Sequence, residues 1–192
     1  MYDAMHDDEP GALDGVVTKS TWSGIDVIPG HKAISMLDTQ NLVAPQHRLS
    51  NAAAGALEDY DVVLIDLPPQ LGLIPINGLV LADWYYAVTM PEAWSFDGIG
   101  EYIETASQVQ RSRLLNPDLR FGGAILNAYE DRRTEHRERW AELKETYPGE
   151  VFEVRIPRLA AAAGMAAFGE SLYEARGAAG VASLPATRWW PR

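Results

Sequence analysis

Apolar residues in this chain alternate between short continuous runs and longer segments with helical spacing. Short apolar runs bounded by polar or turn residues are typical of strands buried on both faces. Longer segments whose apolar residues recur every three or four positions are typical of helices packed on a sheet. The alternation predicts βαβ units, and therefore an α/β fold with a mainly parallel, doubly wound sheet and helices on both faces.

The pattern places strands and helices in turn along the chain. The strands are expected over residues 24–28, 62–66, 84–89, 123–127 and 151–156. The helices are expected over residues 47–57, 74–81, 96–114, 133–146 and 159–168. No internal repeat and no low-complexity linker interrupts this order, so the sequence indicates one substantial core.

Residues 60–72 are the most informative stretch. An apolar run over residues 62–65 ends in Asp66, and Pro68 and Pro69 follow. The prolines remove two amide donors, so the chain is expected to leave the sheet as a loop. Asp66 would then lie at the carboxyl end of a parallel strand, where open α/β sheets bind ligands. The residues alone leave a second interpretation open, in which Asp66 caps an ordinary turn.

Composition narrows the possible classes of function. The chain of 192 residues has no cysteine, which excludes disulfides and thiolate metal sites, and its net charge is −11. Such a charge opposes broad contact with nucleic acid, because binding to phosphates requires lysine or arginine. No long apolar run and no basic leader is present, so we expect a cytoplasmic protein without a membrane segment. The four histidines show no metal-ligand spacing.

Residues 60–83, with the sequence YDVVLIDLPPQLGLIPINGLVLAD, resemble the ParA/Soj family of plasmid and chromosome partition ATPases. Further segments match in the family's order. They are GIDVIPG at residues 24–30, MPE at 90–92, FDG at 96–98, LNPDL at 115–119, GAILNAY at 123–129, VFE at 151–153 and IPR at 156–158. Several motifs in register are far more specific than any one of them.

The resemblance implies a P-loop NTPase-like domain over residues 1–180, followed by a tail over residues 181–192. In the family the full protein binds ATP and Mg²⁺, forms a homodimer, is stimulated by a ParB-like centromere-binding protein and coats nucleoid DNA. The expected function is therefore ATP-dependent DNA segregation. The alternative from a different class is a non-catalytic remnant or protein-interaction module of the same fold.

By resemblance, Asp66 is the Walker B acid that holds Mg²⁺ through water. The residues that match the family's switch loop are Pro68, Pro69, Gln70, Gly72 and Asn77. The residues that match those near the nucleotide base are Asn127, Pro157 and Arg158. The residues that match the family's DNA contacts are Arg176, Arg111 and Arg113. Each has a plainer interpretation: Asn127 as a turn cap, Pro157 as the end of a strand, Arg158 as a solvated cation and Asn77 as a solvent-facing amide. DNA binding is expected to be weakened, because Ala161 replaces an arginine of the family's pattern.

The chain lacks the family's Gly-Lys-Ser/Thr phosphate loop; its nearest approach is Gly30-His31-Lys32, which is read as a turn. The resemblance therefore covers the C-terminal two-thirds of a family member, without the Walker A strand and loop. We expect no tight nucleotide binding and no ATP hydrolysis by this chain alone. Since the missing strand pairs with residues 62–66 in the family, we also expect re-pairing, strand borrowing or low stability at that place.

Overall fold

The structure, a computed structural model, describes residues 1–158 apart from the side chains of residues 93–97. Its helices are α1 (Tyr2–Asp7), α2 (Arg48–Ala52), α3 (Leu73–Leu81), α4 (Ala93–Arg111) and α5 (Thr134–Thr146). Its strands are β1 (Thr18–Lys19), β2 (Asp26–Val27), β3 (Trp84–Thr89) and β4 (Arg120–Leu126). Short 3₁₀ segments span Asp14–Val16, Lys32–Thr39 and Pro45–His47. The predicted helix over residues 159–168 and the tail lie outside the described residues.

The chain forms two compact units. One comprises Met1–Trp84 and Glu104–Arg120, and the other comprises Tyr85–Ile103 and, of the described residues, 121–158. The buried core of the first unit consists of Ala4, Met5, Leu13, Leu37, Leu49, Ala52, Ala53 and Ala56. The buried core of the second consists of Ala87, Ile99, Ala124, Leu126, Tyr129 and Leu143. A single domain over residues 1–180 stays a prediction.

Strands β3 and β4 form a parallel pair. The carbonyl of Asp83 accepts from the amide of Arg120 at 3.0 Å, and the carbonyl of Thr89 accepts from the amide of Asn127 at 2.8 Å. Both partners advance in the same direction along the chain, which defines parallel pairing. The predicted strand over residues 84–89 and the α/β fold class are confirmed.

Strand β4 also pairs with residues 150–158. Parallel bridges join Ala124 to Val151 and Tyr129 to Pro157. The predicted strand over residues 151–156 is therefore reduced to separate bridges, although its parallel direction is as expected. Strand β4 begins at Arg120, before the predicted start of that strand.

The region upstream departs further from the prediction. Instead of a parallel strand over residues 24–28, the structure has the two-residue strand β2 paired antiparallel with β1. The side chain of Asp26 joins this hairpin to the rest of the first unit. Its carboxylate accepts hydrogen bonds from Lys19 at 2.7 Å and from the hydroxyl of Tyr60 at 2.8 Å.

The predicted strand over residues 62–66 is wrong. Residues 62–68 run without helix, turn or strand pairing, and Val62, Val63 and Leu64 are 50%, 45% and 87% exposed. Within the described part of the chain, residues 61–71 make no backbone hydrogen bond. An apolar, β-branched sequence becomes a strand only when a neighbouring strand satisfies its amides and carbonyls, and no strand among residues 1–158 pairs with it.

Helix α3 follows this segment and shows why the chain turns there. Gly72 precedes the helix, and the carboxylate of Asp38 accepts from the amide of Leu73 at 3.0 Å. Pro75 lies in the first turn, where a missing amide costs no intrahelical bond. No helix of the described residues is both long and apolar enough to span a lipid bilayer.

Candidate functional site

Three sequence motifs meet at the carboxyl ends of parallel strands in the second unit. Glu92 follows β3, Asn127 and Glu130 follow β4, and Pro157 and Arg158 end the paired segment that follows α5. We call these five residues the carboxyl-end cluster. This edge of an open α/β sheet is where ligands commonly bind.

Arg158 joins the cluster through its guanidinium group. It contacts the carboxylate of Glu92 at 2.9 Å and the carboxylate of Glu130 at 3.0 Å. All three side chains are between 40% and 48% exposed, so each pair contributes little to stability. Arg158 is therefore a paired cation, not the freely solvated one that the plainer interpretation predicts.

Backbone hydrogen bonds hold Pro157 and Arg158 beside β4. The amide of Tyr129 donates to the carbonyl of Ile156 at 2.9 Å, and the amide of Arg158 donates to the carbonyl of Tyr129 at 3.0 Å. Pro157 has no amide to donate, and the pairing passes through its neighbours instead. The geometry fixes the Ile-Pro-Arg loop next to the loop that contains Asn127.

Asn127 has the geometry of a turn cap. Its side-chain oxygen accepts from the amide of Ala128 at 2.8 Å, and Ala128 has the left-handed backbone angle φ of +55°. This matches the plainer interpretation of Asn127. The side-chain nitrogen makes no hydrogen bond within the described residues, so the amide retains a donor for a ligand.

His136 of α5 is a structural support that the sequence analysis missed. It is fully buried, and its Nδ1 accepts from the backbone amide of Glu130 at 3.0 Å. Its Nε2 is buried and makes no hydrogen bond among the residues that the structure describes. Because Nδ1 accepts, the neutral ring carries its proton on Nε2. His136 thus fixes the backbone at Glu130, whose carboxylate contacts Arg158.

Cationic and aromatic side chains surround the same loop. The guanidinium of Arg155 lies over the ring of Tyr129 at 4.6 Å and over the ring of Trp140 at 5.5 Å. The ammonium group of Lys144 also lies over the Trp140 ring, at 5.4 Å. Such contacts stabilise a cation by about 0.5–1 kcal/mol at exposed positions. They order the loop without providing a free positive charge for phosphate.

Asp66 is exposed on the unpaired segment of the first unit. No group of three or more histidine, aspartate or glutamate side chains in the described part of the chain is placed to hold a metal ion. A magnesium ion needs near-octahedral oxygen ligands, usually one or two carboxylates with phosphate and water. The residues around Asp66 therefore do not fit Mg²⁺ by themselves.

The remaining switch-loop residues lie in two different surroundings. Pro68, Pro69 and Gln70 are exposed, whereas Asn77 is completely buried inside α3. The Asn77 side chain accepts from the amide of Leu49 at 2.9 Å and donates to two backbone carbonyls, each at 2.9 Å. With both donors used, Asn77 cannot contact a nucleotide unless the core opens. It is neither a solvent-facing amide nor a ligand contact in this structure.

The predicted DNA contacts differ in availability. Arg111 pairs with the carboxylate of Glu104 at 2.7 Å. Arg113 is exposed and has no partner among the described residues. Arg176 lies outside them. The arginine-rich start of α5 is internally paired, since Arg133 contacts Glu130 and Glu135.

Comparison with known proteins identifies the class. The sequence model of the AAA domain family matches residues 1–121. Among the relatives is the sporulation initiation inhibitor protein Soj of Bacillus subtilis, 28% identical over 82% of this chain and 62% of Soj. The chain therefore belongs to the AAA domain family, in its ParA/MinD-type group of partition ATPases.

An uncharacterised protein of Mycobacterium tuberculosis is 33% identical over 77% of this chain and 46% of its own length. The chain thus spans about half the length of the curated relatives that it matches first. Among solved structures, cobyrinic acid a,c-diamide synthase of Mycobacterium smegmatis, with bound ADP and magnesium, superposes with a TM-score of 0.73. It is 26% identical over 82% of this chain and 63% of the synthase. The P-loop NTPase-like fold is confirmed by this likeness.

Proposed function

We propose that this chain is the larger part of a ParA-like ATPase that acts in plasmid or chromosome partition. The observation that carries the proposal is the carboxyl-end cluster, which brings the MPE, GAILNAY and IPR segments together at one edge of a parallel sheet. These segments lie far apart in sequence. Their meeting at a ligand-binding edge supports a shared role in framing a nucleotide base.

In this proposal the chain alone does not bind nucleotide tightly. It has no Gly-Lys-Ser/Thr loop, and Arg158 is already paired with two glutamates. A phosphate loop provides the backbone amides and the lysine that hold the phosphates. Asp66, Pro68, Pro69 and Gln70 would contribute the Mg²⁺ ligand and the switch loop of a complete site, without carrying out catalysis themselves.

The partners follow from the same assignment. We infer that the whole protein uses ATP and Mg²⁺, forms a homodimer, responds to a ParB-like protein and works in the cytoplasm on nucleoid DNA. Arg113 and Arg176 are the DNA contacts of this proposal, and Arg111 is available only when it leaves Glu104. With these few proposed contacts, DNA binding by the chain would be weak and sensitive to salt.

Two measurements test the proposal. Deletion of the coding sequence should raise the fraction of daughter cells that lack the replicon, and the wild-type sequence should restore retention. Restoration by Arg158→Ala should be weaker than by Arg113→Lys, the matched control that keeps its charge. Unchanged replicon retention after deletion would refute the role in partition.

The second measurement concerns the purified chain. Phosphate release from ATP should not exceed that of Asp66→Ala, and a fluorescent ATP analogue should show no saturable binding at micromolar concentration. Turnover above the Asp66→Ala control would refute the inactivity of the chain alone, and would leave the role in partition standing.

A second candidate function is a non-catalytic interaction module of the same fold. The ion pairs of Arg158 with Glu92 and Glu130 favour it, because they satisfy the Arg158 cation in the absence of any ligand. In this case deletion would impair partition, while Arg158→Ala would restore replicon retention as well as the wild type does.

A further inference from the structure

An ion pair spans the carboxyl end of β4. Strand β3 pairs with one side of β4, and residues 151–157 bridge to the other side. Glu92 follows β3 and Arg158 follows residues 151–157, yet the two side chains meet at 2.9 Å. Neighbouring strands lie about 4.8 Å apart, so the contact closes a gap of roughly 10 Å between the two flanking segments. The pair therefore passes across the end of β4.

Asn127 lies at that end of β4. Its backbone amide donates to the carbonyl of Thr89 at 2.8 Å, and its half-buried side chain has a nitrogen that makes no hydrogen bond within the described residues. Such a nitrogen can donate to a ring nitrogen or a carbonyl oxygen of a nucleobase. A base that approaches Asn127 along the direction of β4 must pass the pair of Glu92 and Arg158.

Arg158 is held more firmly on one side of β4 than on the other. Its backbone amide donates to the carbonyl of Tyr129 at 3.0 Å, and its Nε contacts the carboxylate of Glu130 at 3.0 Å. The buried His136 in turn accepts from the backbone amide of Glu130 at 3.0 Å. Among the described residues, Glu92 contacts no cation other than Arg158. The contact with Glu92 is therefore the one that should break first.

We propose that Glu92 and Arg158 form a latch across the end of β4, which opens when a nucleobase binds beside Asn127. Arg158 stays on Glu130 as the latch opens, and only the contact with Glu92 is lost. Both side chains of the latch are nearly half exposed, so the closed latch lowers the affinity for a base by a modest factor. The inference rests on the base site of the proposed function and adds the contact that regulates access to it.

The first test measures the binding of adenosine to the full chain by NMR titration. Adenosine carries a base and no phosphate, so its binding needs no phosphate loop. Glu92→Gln removes the charge that holds the latch and should tighten binding about two- to fivefold, the equivalent of roughly 0.4–1 kcal/mol. Glu153→Gln is the matched control, because Glu153 is another exposed glutamate of the same unit and pairs with Lys144 at 2.6 Å. The control should keep the wild-type affinity.

The salt dependence of the same titration gives a second signature. Raising sodium chloride from about 0.05 M to about 0.5 M weakens an exposed ion pair. Because adenosine is neutral, added salt should tighten its binding to the wild type, and by a larger factor than its binding to Glu92→Gln. A factor that is the same in both proteins would show that the ion pair does not oppose binding.

A third measurement needs no ligand. The exchange of the Asn127 side-chain amide protons with water, followed by NMR, reports how often the end of β4 is open. Exchange should be about two- to fivefold faster in Glu92→Gln than in the wild type and unchanged in Glu153→Gln. The Asn127→Ala variant assigns the resonance, and circular dichroism checks that each variant folds.

The results separate the latch from the base site. Equal adenosine affinity and equal Asn127 exchange in the wild type and in Glu92→Gln would overturn the latch and leave the base site standing. Weaker adenosine binding by Glu92→Gln would also overturn the latch, since Glu92 would then hold the base. Absence of saturable adenosine binding by both proteins would refute the base site of the proposed function, and the Asn127 exchange rate would then decide the latch alone.

Discussion

Replacing Asn77 by alanine tests whether this residue is a structural support or a switch residue. The Asn77 side chain is completely buried and links three backbone groups of the first unit. Its oxygen accepts from the amide of Leu49, which lies in the first turn of α2 and has no partner within that helix. Its nitrogen donates to the carbonyls of Pro45 and Leu73.

The magnitude follows from which groups lose their partners. In Asn77→Ala the carbonyl of Leu73 keeps its helical bond to the backbone of residue 77. The amide of Leu49 and the carbonyl of Pro45 are left unpaired, at about 1–3 kcal/mol each, so the loss is about 2–6 kcal/mol. For a chain of this size each kcal/mol lowers Tm by about 2–4 °C, which gives a decrease of roughly 4–24 °C.

Urea unfolding followed by circular dichroism measures this loss, and hydrogen exchange at Leu49 reports its location. Asn116→Ala is the matched control. Asn116 is half-buried and donates to the carbonyls of Leu79 and Ala82 at 2.9 and 2.8 Å, with no amide depending on it. Its loss should cost about 1 kcal/mol. An Asn77→Ala variant within about 0.5 kcal/mol of wild type, with Leu49 exchange unchanged, would refute the structural role.

Three further predictions concern charge, backbone and ion pairing. The hydrogen bond from Lys19 holds the pKa of the Asp26 carboxyl below its ordinary value of 3.8. The contribution of this bond to stability is therefore present above pH 3.8 and is lost as the pH falls through the lowered pKa. An NMR titration of Asp26 measures this pKa. Gly123 has a φ of +126°, and a Cβ added there would stand 2.9 Å from a backbone oxygen, so Gly123→Ala should destabilise the chain by at least about 1 kcal/mol in urea unfolding. Gly98→Ala in α4 is the control and should stabilise the chain by about 0.5–1 kcal/mol. Arg158→Ala should change the unfolding free energy by less than about 1 kcal/mol, because its ion pairs are exposed.

Each of these predictions has an outcome that contradicts it. The Asp26 carboxyl should titrate at lower pH in the wild type than in Lys19→Ala, and coincident titrations would show that Lys19 has no effect. Gly123→Ala with wild-type stability would mean that the backbone relaxes at no cost. A loss of several kcal/mol in Arg158→Ala would show that its pairs behave as buried ones.

The sequence predicted two elements well, and both pack within the described chain. Residues 84–89 form β3 as expected, and the predicted helix over residues 74–81 differs from α3 by one residue at its start. In both elements, the apolar periodicity and the residues that begin and end the element agree with the packing. The same apolar signal over residues 62–66 failed, because periodicity reports that residues favour burial and not that a neighbouring strand is present.

The candidate site was likewise predicted only in part. Pro157 and Arg158 lie beside the loop that contains Asn127, because parallel strands end at one edge, while their role at a nucleotide base stays a prediction. The roles of His136 and Asn77 were missed. A signal existed for Asn77, because α3 is apolar on every side and a polar residue within such a helix must be buried and hydrogen-bonded. No comparable signal marks His136, since α5 is largely polar and its contact with Glu130 depends on tertiary folding.

The distribution of charge limits phosphate binding both at the stretch that contains Asp66 and at the carboxyl-end cluster. Phosphate binding requires positive charge, yet no lysine or arginine occurs between Arg48 and Arg111, the stretch that contains Asp66. The cation of the carboxyl-end cluster, Arg158, is already paired with two glutamates. A cation for phosphate must therefore come from residues outside these features.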